Sequence, residues 1–224
     1  MILLTLPYTL RIITCIINKS IMTHIFPDMW KESVIRPIPK NNNPVSLKDL
    51  RPISILPCLS KVLEKVVCRQ LTEYLELNRI LPEEQSGFRK GRSITTALAC
   101  VVDDILTAQD EGKGTILVML DYSRAFDCIN IPLLLSKLKY YGFDHTSLNW
   151  FSSYLNDRKQ RVELKCEDGR PLISGCSSVK RGVPQGSILG PLLFILYSSD
   201  ITKCIKHCNY HIYADDVQLY ISFK

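Results

Sequence analysis

The chain has 224 residues, 46% of them apolar and 22% charged, and 28 Lys and Arg against 22 Asp and Glu give a formal net charge of +6. That size and composition support one sizeable core or two small lobes. They exclude a disulfide miniprotein, a collagen-like chain and a disordered tail. The excess charge is concentrated: residues 31 to 92 hold twelve basic and seven acidic side chains, whereas residues 93 to 224 hold fourteen of each. Such a stretch is either a solvated face or a surface for an acidic partner.

The first twenty residues, MILLTLPYTLRIITCIINKS, imitate a secretory signal but lack a basic start and a small-residue cleavage site. Arg11 and Lys19 break the apolar run short of the ~20 residues that span a bilayer. The expectation is therefore a helical extension over residues 1 to 30 of a globular fold, entered partway, with no membrane partner. Residues 33 to 40, SVIRPIPK, read as a strand. The turn-like NNNPVSLKDL follows and RPISIL then reads as a second strand, which makes a hairpin with a long tip. Leu59, Val62, Leu63, Val66, Val67, Leu71, Tyr74 and Leu75 recur at helical spacing, so residues 60 to 77 form an amphipathic helix. Ser93 is the expected N-cap of the next helix, with Leu98, Val101, Val102, Ile105 and Leu106 on its buried face and Gly112 as its stop.

The period then changes. TILVMLD, residues 115 to 121, is a continuous apolar run ending in a carboxylate, the pattern of a central strand covered on both faces. Asn130, Pro132 and Gly142 bracket a short helix, and residues 146 to 155 form another. Residues 161 to 179 carry β-branched residues around Asp168-Gly169, a hairpin signal. Residues 187 to 199 read as an apolar helix despite Pro191, and YHIYADDVQLYIS as a hairpin with two acids at its tip.

The nine cysteines are odd in number and sit in apolar patterns such as Val67-Cys68 and Ala99-Cys100. They read as reduced thiols packed as small hydrophobes in an intracellular protein, nucleus and cytoplasm being equally compatible. Cys204, His207, Cys208 and His211 interleave like zinc ligands, but no C-x2-C pair or second half-site accompanies them.

A carboxylate after a strand can be a helix cap, and an Asp-Asp pair in a hairpin can be turn chemistry. If the hairpin lies beside the strand, however, Asp121, Asp215 and Asp216 converge. Like charges a few ångströms apart repel by several kcal/mol at an effective dielectric of ~20, so the cluster protonates or recruits divalent cations. Oxygen-only ligands favour Mg²⁺, and two such ions clamp the attacking and leaving oxygens of an in-line phosphoryl displacement. In RGVPQGSILGPLLF, Gly182 and Gly186 free the backbone to approach a substrate, and Gln185 sits near a helix start.

These segments together resemble the reverse transcriptase domain. LDYSRAFD is similar to that family's motif A, VPQGSILGPLLF to motif B and YADD to motif C, while RPISILPCLSKVLEKVV and QSGFRKGRSITTAL resemble its fingers motifs. With WKESVIRPIPK, the chain is identified as a member of the LINE-type, non-LTR, jockey-like branch, from about residue 20 onward. The resemblance implies an RNA-directed DNA polymerase of α+β class. Its fold would be a partial right hand of fingers (31 to 92 and 132 to 181) and palm (93 to 131 and 182 to 224). The palm sheet would be antiparallel, with helices on one face.

It also implies residue roles. Asp121 and Asp215 would bridge two Mg²⁺ ions, for which Mn²⁺ can substitute, with Asp216 assisting and the Tyr122 carbonyl adding an oxygen. The backbone of Ser123, Arg124 and Ala125 would cradle the triphosphate. Lys40 and Arg51 would hold its outer phosphates, with Lys48 an alternative in the same loop. Gln185 would contact the incoming nucleotide. Arg89, Arg92 and Gly186 would follow the template, and Tyr213 would support the primer end. Phe126, five residues after Asp121, is either a core residue or a steric gate that rejects the 2′-hydroxyl of ribonucleotides. The implied partners are an RNA template, a DNA primer and dNTPs, together with the thumb and endonuclease of a longer element protein. The thumb is expected to be absent here, as in a fragment, a decayed copy or a partial gene model. The alternative expectation is an inactive element remnant that at most binds nucleic acid.

Overall fold

A computed structural model describes residues 2–166 and 169–224 of the chain. In chain order its helices are α1 (Ile2–Thr23), α2 (Cys58–Leu77), α3 (Ile94–Asp110), α4 (Ile131–Tyr140), α5 (His145–Leu155) and α6 (Gly190–Ser198). Its strands are β1 (Glu32–Pro39), β2 (Leu50–Ile55), β3 (Gly114–Asp121), β4 (Arg158–Lys165), β5 (Pro171–Ile173), β6 (Ser177–Val179), β7 (Asn209–Tyr213) and β8 (Asp216–Phe223). The chain divides into two compact units: residues up to Gln70 with Phe126–Gly190, and Leu71–Ala125 with Pro191–Lys224.

The first unit holds a five-stranded sheet ordered β2-β1-β4-β5, with β6 also paired to β4. The expected long-tipped hairpin is present: β1 and β2 run antiparallel from Val34↔Ile55 to Pro39↔Leu50. β4 joins β1 in parallel and folds back on β5 through Lys165↔Pro171. Asp168, on which the turn expectation rests, lies outside the described residues. The helices start where their caps dictate. Asn130 accepts from the Leu133 N–H at 3.0 Å, and Asp144 accepts from the Ser147 N–H at 2.9 Å. Hydrogen bonds from the Ser147 side chain, the Thr146 hydroxyl and the Ser147 backbone N–H hold Asp144 well below the usual carboxylate range, at about 2. The core gathers around Phe26, fully buried and edge-on to Trp150 and Tyr154 at 5.8 and 5.0 Å. The Trp150 N–H donates to Ser20 of α1 at 3.2 Å, which ties the N-terminal helix to α5.

The second unit holds an antiparallel three-stranded sheet ordered β3-β8-β7. Ser93 caps α3 as expected, its hydroxyl accepting from the Thr96 N–H at 3.1 Å. Two expectations are corrected here. β3 is not a central covered strand. It is the edge strand, with Ile116, Leu117, Val118, Met119 and Leu120 each more than 40% exposed. A continuous apolar run cannot distinguish a covered strand from an uncovered one, because the covering element is coded elsewhere. On α3 the small residues Ala97 and Ala108 join Val101 on the buried stripe, whereas Leu98, Val102 and Leu106 are exposed and Ile105 is half-buried.

The cysteines also differ from expectation. Seven of the nine are exposed, and Cys68 and Cys208 are half-buried. Helical geometry turns Val67 and Val101 inward and their cysteine neighbours away. No disulfide joins them. Among the described residues no helix is long and apolar enough to cross a membrane.

Candidate active site

β7 and β8 are joined by a two-residue turn, because Tyr213 pairs with Asp216 and leaves only Ala214 and Asp215 between them. β8 then runs beside β3 in a register of eight pairs, from Gly114↔Phe223 to Asp121↔Asp216. Strand pairing therefore places Asp121 opposite Asp216, one residue from Asp215. The Asp216 carboxyl is held above its ordinary value, first by local burial and then by the negative charges of Asp215 and Asp121. Asp121 and Asp216 are exposed and Asp215 is half-buried.

Among the described residues, no three His, Cys, Asp or Glu side chains are close enough to form a ready coordination shell, at these aspartates or at Cys204, His207, Cys208 and His211. The three aspartates nevertheless fit a hard divalent cation in chemistry. They are oxygen donors that share one electrostatic field, and Asp216 registers the charge of both others.

The turn itself is unusual. Ala214 has φ 58°, a left-handed conformation that a non-glycine residue adopts only when its surroundings impose it. A two-residue hairpin turn calls for a positive φ at this position, and the buried Gln85 braces it: its Oε1 accepts from the Ala214 N–H at 3.0 Å and from the Gly87 N–H at 2.7 Å. Tyr122, after Asp121, is half-buried and edge-on to Phe194 at 5.7 Å. Burial, and then the charge of Asp200, push its phenol up. Ser123 and Arg124 are exposed, Arg124 at φ 57°, and Ala125 is buried. Tyr213 is half-buried at the end of β7.

Arg89 is turned inward. Its guanidinium forks onto Glu76 at 2.8 and 3.0 Å and reaches the Pro82 and Gln85 carbonyls at 2.7 and 3.3 Å. Its side chain is 9% exposed, so it acts as a clamp under the 82–88 segment, and a template strand would have to compete with these bonds. Arg92 is half-buried and donates to the Glu83 carbonyl.

In the first unit, Lys40 and Arg51 are exposed on opposite arms of the β1–β2 hairpin, where Ile38↔Arg51 sets the register and the Lys40 N–H meets the Asp49 carbonyl at 2.7 Å. Lys48 is exposed in the short helical turn at its tip. The loop carrying Gln185 and Gly186 is stitched to β2, the Ser54 N–H donating to the Gln185 carbonyl at 2.7 Å. Gly186 has φ 117°, and a Cβ there would fall 2.9 Å from the Ser54 carbonyl oxygen, so only glycine fits. The half-buried Phe126 is held against the same loop, its carbonyl accepting from the Val183 N–H at 2.9 Å.

Sequence reasoning missed two supporting residues. Gln85 lies in a segment read for its arginines. Glu64 is fully buried and accepts from Ser60 at 2.9 Å, Tyr154 at 3.3 Å, and the Ile188 and Leu189 N–H groups at 2.8 and 3.2 Å. It anchors the loop after Gln185. Its signal was legible: a carboxylate among the buried positions 60, 63 and 67 of an amphipathic helix needs donors. Nearby, Arg158 is 2% exposed and packs over the Tyr154 ring at 5.1 Å, and its guanidinium value is pulled down by burial.

Residues 38–224 match the family model described as reverse transcriptase (RNA-dependent DNA polymerase). The chain is 34% identical to a probable RNA-directed DNA polymerase from transposon BS of Drosophila melanogaster, across 92% of this chain and 23% of the relative. It is 36% identical to that of transposon X-element, across 85% and 20%, and 31% identical to the polymerase of mobile element jockey, across 86% and 20%, both from the same organism. The chain thus spans about a fifth of the length of these curated relatives. In fold it is similar to apo telomerase from Candida tropicalis truncated from its C-terminal domain, with TM-score 0.56, 16% identity and coverage of 89% of this chain and 45% of that one. Telomerase from Candida albicans in complex with a telomeric RNA fragment gives 0.55, 15%, 88% and 39%.

Proposed function

The chain belongs to the reverse transcriptase (RNA-dependent DNA polymerase) family, on the branch of non-LTR retrotransposons, and we propose that Asp121, Asp215 and Asp216 form its nucleotidyl-transfer centre. The observation that carries this reading is the β3–β8 register, which sets Asp121 across from Asp216 at the mouth of the Ala214-Asp215 turn. Paired carboxylates on neighbouring strands have no packing advantage, and like charges directly opposite one another destabilise a sheet.

The reaction joins a dNTP to a primer end on an RNA template. The primer 3′-oxygen attacks the α-phosphorus in line, the bond to pyrophosphate breaks and the hydroxyl proton passes to solvent. Mg²⁺, as two ions or with Mn²⁺ in their place, would when bound lower the pKa of that hydroxyl and offset charge on the leaving group. Asp121 and Asp215 would hold the cations, with Asp216 assisting and the Tyr122 carbonyl offering a further oxygen. Ser123, Arg124 and Ala125 offer backbone to the triphosphate. Lys40 and Arg51 neutralise its outer phosphates, as positioning and electrostatics demand in phosphoryl transfer. Phe126 excludes a 2′-hydroxyl, Gln185 faces the nucleotide base, Gly186 and Arg92 follow the template, and Tyr213 supports the primer. The β1–β2 hairpin is the fingers element and the β3-β8-β7 sheet the palm.

The test is primer extension by the purified chain on poly(rA)·oligo(dT) with dTTP and Mg²⁺, run beside filter binding to the same duplex. Extension supports the proposal. Binding without extension would identify an inactive remnant instead.

A further inference from the structure

We propose that Gln85 is a positioning residue for nucleotidyl transfer, its side-chain oxygen setting the turn that presents Asp215 and Asp216. This rests on the catalytic reading of those aspartates. The inference starts from an atom that has no freedom. Gln85 is 3% exposed, and two backbone donors, the N–H groups of Gly87 and Ala214, converge on its Oε1 at 2.7 and 3.0 Å. Two donors facing one atom fix the amide orientation, because the NH₂ end would repel both.

The segment that carries the glutamine is itself fixed. The Ser86 N–H donates to the Ile212 carbonyl at 2.8 Å and the Ile212 N–H donates to the Glu84 carbonyl at 3.0 Å. Residues 84–86 thereby run as a short parallel strip along β7, where Gln85 bridges Ile212. Arg89 ties the same strip to Glu76 and to the Pro82 and Gln85 carbonyls. The strip also approaches the turn as closely as backbone can. A Cβ on Gly87 would stand 2.2 Å from the Ala214 nitrogen and 2.7 Å from its Cα.

Ala214 is a non-glycine residue at φ 58°, a left-handed backbone that costs energy for any residue with a Cβ. The Tyr213↔Asp216 pairing closes a two-residue hairpin turn, which calls for a positive φ at its first position. The bond from the Ala214 N–H to Gln85 and the bare backbone of Gly87 hold that turn from the side of the 84–87 segment. Asp215 follows directly and Asp216 opens β8, so both acids inherit their direction from Ala214. A shift of about 1 Å in catalytic groups costs on the order of 100-fold in rate.

The experiment compares Gln85→Asn with Gln85→Glu in the full chain. Asparagine is polar but one methylene too short to serve both N–H groups. Glutamate keeps the length and an acceptor at the same place. Amide hydrogen exchange at Ala214 is followed with ¹⁵N-alanine labelling, beside kcat and KM for dTTP in primer extension and the melting temperature. In Gln85→Asn the Ala214 amide should exchange about tenfold faster, as for the loss of one hydrogen bond. kcat should fall by about 100-fold, while KM stays within about twofold because ground-state binding is untouched. Gln85→Glu should keep the Ala214 protection. Unchanged Ala214 exchange in Gln85→Asn, or a loss as large in Gln85→Glu as in Gln85→Asn, overturns the proposal. If the wild-type chain extends no primer, the polymerase reading fails, and the exchange data still decide whether Gln85 holds the turn.

Discussion

Asp121 stands directly opposite Asp216 at the end of the β3–β8 ladder. The pair sits where a sheet gains most from opposite charges or apolar contact, and it supplies neither. With Asp215 beside it, the Asp216 carboxyl is held above its ordinary value by burial and by both neighbouring charges. In the absence of divalent cations, Asp216→Asn should therefore raise the melting temperature of the chain. Mg²⁺ should raise it in wild type and have less effect on the variant. A thermal melt with EDTA and with Mg²⁺ checks both. A lower melting temperature for Asp216→Asn in EDTA would mean that the pair is structural.

The proposed function gives Phe126 the choice of sugar. Its carbonyl accepts from the Val183 N–H at 2.9 Å, which ties its backbone to the 182–190 loop. Phe126→Ala should raise the ratio of ribonucleotide to deoxynucleotide incorporation by about 100-fold, the scale of discrimination a shaped pocket gives. Unchanged discrimination would return Phe126 to the role of a core residue.

Glu64 carries the loop of Gln185 from below. Glu64→Ala leaves two backbone N–H groups and two hydroxyls without their acceptor in a buried place. The expected cost is about 3 kcal/mol of folding stability. Glu64→Gln keeps an oxygen for the Ile188 and Leu189 amides and should cost less than half of that. Urea unfolding midpoints read the difference, and equal midpoints for the two variants would contradict the assignment.

His211 introduces a pH dependence. It is buried, its Nε2 lies 3.0 Å from the Ser86 hydroxyl, and burial, aided by Arg92, pulls its value below 6.5 against the opposing charges of Glu84 and Asp104. As pH falls, the unfolded chain then takes up its proton first. Stability is full above about pH 6.5 and is lost as pH falls through the lower folded-state value. Urea midpoints measured from pH 7.5 to pH 5 should show that decline in wild type and a flatter course in His211→Gln. Parallel profiles would remove His211 from the account.

Most of the element order was readable because each signal is local. Ser93 and Asn130 cap the helices they precede, and the Tyr213–Asp216 turn follows from alternation on either side of it. The approach of Asp121 to the Asp215-Asp216 turn was equally legible, because motif spacing and strand register are properties of the chain itself. What failed was environment. The run from 115 to 120 looks the same whether its faces are covered or bare, and the stripe of Leu98, Val102 and Leu106 is as apolar as the buried one beside it. Gln85 was invisible for a related reason. Its function depends on two N–H groups, one of them 129 residues away, that meet it only once the 84–86 strip has docked on β7.

The proposed function places Asp215 in a metal-dependent nucleotidyl-transfer centre. Incorporation of dTTP on poly(rA)·oligo(dT), measured against Mg²⁺ concentration for wild type and for Asp215→Asn, tests it most directly. The account predicts Mg²⁺-dependent extension by the wild-type chain and background incorporation by the variant, with both proteins folded. Extension by Asp215→Asn at the wild-type rate would contradict it.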